Sequence, residues 1–342
     1  MFKVDMKKIL YTVIVILSVL VFTSCSINRF AVHLVANALT GTSGGTLFTG
    51  DDDPELIADA LPFALKMYEG LLQSDPENVK LLEAAGSGFI SYANAFLQSP
   101  AELMGYDKQA EKELMLKRAV RLYRRGSSYI SKAIELKHPG FSNHFKAGDW
   151  DSAFAGSGPE DVSLFYWKAA AVLGEFSIDT FNPELMLHVP EGVSFVAAAF
   201  RIDPDYNRGA LHELLLSIFA SIPDSLIYRF NDREGEFSVY RILTDYYKEH
   251  SLVFEQMSSS EKAEFHFNRA VDLSTGLKVS PYVSFAVSVC VKEQNYDLFR
   301  ELLTKALNIN PDLYPADRLV NIIGQRKAHW YLDHSDDFFI VP

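Results

Sequence analysis

From Pro54 onward, apolar runs at helical spacing alternate with short polar breaks. No stretch shows the strict apolar–polar alternation of a half-buried strand. The periodicity predicts helices over residues 56–73, 79–97, 109–136, 160–176, 191–201, 207–220, 239–254, 258–273, 281–291, 296–307 and 311–330. In the first of these, Leu56, Ala60, Phe63, Ala64, Met67 and Leu71 share one face, which reads as the buried stripe; Pro62 marks a kink or a break. In the second, the stripe is Leu82, Ala85, Phe89, Tyr92 and Phe96. Residues 138–159 read as the longest irregular segment of the body.

The breaks share a device. Asp75-Pro76, Asp203-Pro204 and Asn310-Pro311 each end one apolar run and precede another. The pattern predicts that the Asx side chain caps the new helix while Pro occupies its first position, where no N–H is required. Asp53-Pro54-Glu55 reads the same way, as a cap rather than a metal cluster. Ser258 with Glu261 fits a capping box. Small residues such as Ala198, Ala199, Gly209 and Ala306 are placed for close helix contacts. The Ala199–Pro204 and Ala306–Pro311 spacing fits part of the tetratricopeptide pattern. The expected fold is all-α, with tetratricopeptide-like hairpins stacked as a solenoid or bundle.

The N-terminus differs in kind. Lys3, Lys7 and Lys8 precede an apolar stretch, 9–21, too short to span a bilayer. Phe22-Thr23-Ser24-Cys25 follows and resembles a bacterial lipoprotein signal, with Cys25 as the lipidated residue. A plain signal peptide or anchor with an incidental cysteine is the alternative. The organisation expected is a signal peptide over 1–24, a lipidated tether over 25–53 and a helical domain over 54–342. After Cys25 one cysteine remains, Cys290, in an apolar run that reads as core.

The 342 residues allow a large core, and the formal net charge of −12 argues against nucleic acid as a partner. Arg118, Arg121, Arg124 and Arg125 form a local basic cluster, read as a solvated helix face paired with nearby Glu. Catalytic signatures are missing. His212-Glu213 begins a zinc-protease motif, but Leu216 stands where the second histidine belongs. The sequence has no phosphate-binding loop and no nucleophile elbow. No catalytic residue, metal or cofactor is expected.

Six stretches carry a family resemblance: DDDPELIADALPFALKMYEGLL (51–72), RLYRRGSSYISKAIELKHPGF (121–141), YWKAAAVLGEF (166–176), RIDPDYNRGALHELL (201–215), residues 263–303, and INPDLYPADRLVNIIGQRKAHW (309–330). They resemble the T component of tripartite ATP-independent periplasmic (TRAP) transporters. Residues 229–260 look longer than the corresponding connection in that family. The resemblance implies a periplasmic lipoprotein held to a membrane by its lipid, assembled as a trimer and docked to a periplasmic solute-binding subunit. It also implies a pore-like hydrophobic channel for an organic acid or lipid. Candidate wall residues are Tyr166, Trp167, His212, Glu213, Tyr282, Phe285, Arg318, Asn321 and Arg326. Arg318 and Arg326 stand out because a buried guanidinium needs an anionic partner, from protein or ligand. The alternative is a structural adaptor for envelope proteins, with no small ligand.

Overall fold

The computed structural model describes residues 47–227 and 237–340, all helix and turn with no strand among them. Cys25, the signal segment and most of the expected tether lie outside the described residues. Helix α1 spans Pro54–Ser74. Helix α2 spans Val79–Tyr92 and widens through a π-helical turn, Ala93–Gln98, into Ser99–Glu102. Then come α3 (Gln109–Lys137), α4 (Phe141–Ala147), α5 (Val162–Ile178), α6 (Val189–Ile202), α7 (Tyr206–Ser221), α8 (Val239–Glu249) and α9 (Ser259–Leu273). Helix α10 (Ser280–Phe285) continues through a second π turn, Ala286–Cys290. Tyr296–Leu307 and Arg318–Asp333 form α11 and α12.

Packing follows chain order. Helix α1 lies on α2, α2 on α3, α3 on α5, and α5 on α6. Farther along, α7 packs on α9 and α10, α10 on α11, and α11 on α12. Helix α6 is the central piece, with Val189, Pro190 and every residue from Gly192 to Phe200 buried. The stack also closes on itself, because α12 returns to α1. Arg326 donates twice to Glu55, Arg318 Nη1 donates to the Gly50 carbonyl (3.2 Å), and Lys327 Nζ donates to Glu102 (3.1 Å).

Three expectations need correction. Helix α1 is continuous through Pro62, but it buries Ile57, Leu61, Leu65, Tyr68 and Leu72 rather than the predicted stripe. Leu56, Phe63 and Met67 are 56%, 71% and 40% exposed. Both faces are apolar, and periodicity alone does not choose between them.

The Asp75-Pro76 and Asp203-Pro204 junctions are turns rather than N-caps, whereas Asn310 does cap the one-turn 3₁₀ helix Pro311–Leu313, accepting from Asp312 N–H (3.0 Å) with Pro311 in the first position. The backbone N–H of Asp75 closes α1 on Leu71 O, and that of Asp203 closes α6 on Ala199 O. The side chain of Asp203 then accepts the N–H two residues on, from Asp205 (3.2 Å). This is an Asx turn, which competes with helix initiation. The true cap of α2 is Asn78, accepting from Leu81 N–H at 3.1 Å. Asp53 does cap α1, accepting from Leu56 N–H (2.9 Å), and Ser258 with Glu261 forms the capping box of α9.

The segment 138–159 is not irregular. It contains α4 and the turn Trp150–Ala153. Its rings Phe141, Phe145 and Phe154 meet Phe165 and Phe195 at centroid distances of 5.2–6.4 Å, anchoring the segment to α5 and α6.

Candidate functional site

The junction of α6 and α7 places the most concentrated chemistry in the molecule. Asn207, Arg208 and Gly209 adopt left-handed backbone angles, with φ of 46°, 57° and 90°. This turns the chain sharply before the regular part of α7. Gly209 is needed twice: a side chain at φ 90° is strained, and a Cβ would stand 2.9 Å from the Ala270 Cα of α9. Helix α7 therefore lies close on α9, and Arg208 is carried inward.

Arg208 Nη1 donates to Asp317 Oδ2 (2.6 Å) and Nη2 to the Ser274 carbonyl (2.6 Å). Its guanidinium also lies over the Tyr314 ring, 3.5 Å from the centroid. Lys278, buried, donates to the Asn207 carbonyl (2.8 Å) and to Glu213 Oε1 (3.3 Å). Two cations thus face two carboxylates in a charge-balanced group. Burial pushes the Asp317 carboxyl up, while Lys278 and Arg208 oppose it and Glu213 reinforces it.

Aromatic side chains border this group. Tyr166 of α5 packs on Trp167 (5.1 Å) and on Tyr206 (5.5 Å). Burial drives the Tyr166 hydroxyl well above the usual phenol range, with the Glu213 carboxylate and Tyr206 adding to it. Tyr206 is raised as well, by burial first and then by Glu83 and Asp203. Both phenols stay neutral donors. Tyr166, Trp167, Tyr206 and Glu213 remain partly accessible, while Phe165 and Ala169 beside them on α5 are fully buried.

Of the nine wall residues expected from sequence, Tyr166, Trp167 and Glu213 come together here. His212 faces the other side of α7, against His266 of α9, with Nδ1 to Nδ1 at 2.7 Å and Tyr246 Oη 3.3 Å from its Nε2. Tyr282 and Phe285 pack on Phe267. Asn321 is a clamp: its Oδ1 accepts from Val279 N–H (2.9 Å) and its Nδ2 donates to Leu277 O (2.8 Å). The anions expected for the two arginines come from the protein. Arg318 pairs with Asp312 (2.9 Å), and Arg326, 52% exposed, pairs with Glu55. Sequence reading missed Arg208, Lys278, Asp317 and Tyr206. The usable signal was Asn207-Arg208-Gly209, a polar pair followed by Gly immediately after an Asx-Pro turn.

Two shallow concavities flank α3. One, of about 340 Å³, is lined by Lys66, Glu69, Arg125, Tyr129 and Lys132 among others. The second, of about 370 Å³, includes Arg124, Ser127, Lys168 and Glu175. In the first, burial pushes Glu69 up, yet Lys66, Tyr129 and Arg125 together bring it below the usual carboxylate range. Two of the four arginines of the predicted basic cluster are paired as expected, Arg125 to Glu69 and Arg124 to Glu175, while Arg118 lies over the Tyr92 ring.

The arrangement offers binding chemistry. Cys290 is buried, and burial lifts its thiol to about 12, so it is not a thiolate nucleophile. Among the described residues no three His, Cys, Asp or Glu side chains gather as a metal ion would need.

Residues 50–227 and 257–339 match a family model described as the TRAP transporter T-component. The interval left out, 228–256, overlaps residues 229–260, which look longer than the corresponding connection in that family. The chain is also 27% identical to an uncharacterized protein of Treponema pallidum (strain Nichols) over 338 residues, covering 94% of this chain and 95% of that protein.

Proposed function

The chain belongs to the TRAP transporter T-component family, and from that premise we propose that it binds or relays an apolar organic acid together with the periplasmic solute-binding subunit of its transporter. The family places it within a TRAP transporter at the cell envelope, in a family of transport components rather than enzymes. In the proposed reading the chain is a periplasmic lipoprotein anchored through Cys25 and assembled as a trimer.

One observation carries the ligand part. Tyr166 and Trp167 are only half-buried, and Tyr166 lies near Glu213, the partner of Lys278, while Phe165 and Phe176 of the same helix are sealed. Small-molecule sites commonly combine an apolar wall with few, fixed polar groups. Here Lys278 and the neutral Tyr166 hydroxyl face the head group of the ligand, and Trp167 faces its apolar body. Arg208 and Asp317 hold Lys278 and Glu213 in a compensated field, so a protonated, neutral acid is accommodated without an orphaned charge.

Native mass spectrometry of the chain purified gently from its host tests this. A retained acid of defined mass, lost on Trp167→Ala, is expected. A chain that carries no small molecule, while still binding envelope proteins, is the adaptor reading instead.

A further inference from the structure

Helix α1 has two apolar faces, and the body of the protein covers one of them. Ile57, Leu61, Leu65, Tyr68 and Leu72 are buried, with α2 packed against the helix. On the opposite side Leu56, Phe63 and Met67 are 56%, 71% and 40% exposed. The outward helix of a stacked array normally shows a polar face.

The spacing on this outer face is specific. Leu56, Ala60, Phe63, Met67 and Gly70 recur at alternating steps of four and three, which is the seam of a coiled coil. One flank of the seam, just before Ala60 and Met67, carries Asp59 and Lys66. The other flank, just after Phe63 and Gly70, carries Ala64 and Leu71. Flanking positions set the partner and the orientation of paired helices.

This charge pattern selects the occupant. Two parallel helices bring unlike flanks together, so Asp59 would face Ala64 and Lys66 would face Leu71. Two antiparallel copies related by a two-fold axis bring like flanks together. Asp59 of each copy then meets Lys66 of the other, and the ion pair forms twice. We propose that a second copy of this chain docks antiparallel on the exposed face of α1.

The rest of the seam agrees. With the two-fold axis between positions 61 and 62, Leu56 of one copy meets Met67 of the other, and Phe63 meets Ala60, large against small. The contact runs over eleven residues, about 16 Å at 1.5 Å per residue. Asp59, Ala60 and Gly70 are all exposed, so neither the acid nor the close approach is obstructed. The Lys66 side chain is 66% exposed, and its present partner Glu69 is also held by Tyr129 and Arg125. Lys66 can therefore turn to Asp59 without leaving Glu69 unpaired. Three large apolar side chains per copy make a small interface of the weak, reversible kind. The pairing does not rest on the transport reading, and it is compatible with a trimer built through another face.

Charge exchange tests it, in sedimentation velocity of the full chain over a range of concentrations. A doubling step, from one copy to two or from three to six, is expected with a Kd of about 100 μM. Asp59→Lys and Lys66→Asp each place like charges across the seam twice, and each weakens the step about tenfold. The double variant Asp59→Lys, Lys66→Asp restores it to within about twofold of the original. Phe63→Glu abolishes the step and leaves the thermal melt unchanged, because the ring is exposed in the single copy. A chain whose sedimentation does not change with concentration overturns the proposal. So does a double variant as weak as either single one, or a step of equal strength in all the variants, which would assign the association to another face.

Discussion

The imidazoles of His212 and His266 meet Nδ1 to Nδ1 at 2.7 Å, with neither ring exposed. One must donate and the other accept, so at least one ring is a neutral imidazole. Burial holds His212 down to about 3, helped by Arg269 and His250, and it depresses His266 in the same direction.

A pH dependence results. The folded-state pKa lies below the unfolded value of about 6.5, so the unfolded chain binds more protons on acidification. Stability is complete above that value and falls as pH drops toward 3. At pH 5 the effect for His212 alone is about 2 kcal/mol. Urea melts at pH 7 and pH 5 should separate accordingly, and the double variant His212→Phe, His266→Phe should narrow the gap.

Gly209 fixes the approach of α7 to α9. Gly209→Ala adds a methyl 2.9 Å from the Ala270 Cα at a φ of 90°. A loss of about 2 kcal/mol or more is expected from strain and displacement together, read as a lower urea midpoint. An unchanged midpoint would show that the two helices separate freely.

Asn321 is a positional test. Asn321→Leu leaves the Val279 N–H and the Leu277 carbonyl without their partner in a buried setting. The expected cost is about 2–4 kcal/mol, since two polar groups lose their bonds. Arg326→Ala should cost less than about 1 kcal/mol, as exposed ion pairs do, although its partner Glu55 lies 271 residues away. Thermal melts of the two variants give the contrast.

Trp167→Ala should leave the helical circular dichroism unchanged and weaken ligand retention about tenfold. The ring stands partly accessible, so its loss opens no sealed core position. A variant that keeps full ligand retention would move the site away from α5.

Helix positions and class were legible because periodicity and caps are local. Tyr296–Leu307 falls where the pattern puts it, and Asp53 caps α1 as its Pro-Glu context implies. Direction was not legible where a helix has two apolar faces. Helix α1 carries Leu56-Phe63-Met67 on one side and Ile57-Leu61-Leu65 on the other, and only the neighbour decides. Asx-Pro pairs announced boundaries correctly, but the side chain's choice between turn and cap depends on the next two backbone amides. The charge group escaped because Arg208, Lys278 and Asp317 lie 39–109 residues apart and meet only through the left-handed turn at 207–209. The arginines singled out as ligand contacts found carboxylates elsewhere in the chain, which sequence spacing does not display.

The central claim, that this T component works with a solute-binding partner, meets its most direct test in sedimentation velocity of the purified chain with the solute-binding subunit of the same TRAP system. A complex with a Kd of about 10 μM or tighter is the expected result. Two components that sediment independently at about 100 μM, with and without the transported acid, would contradict it.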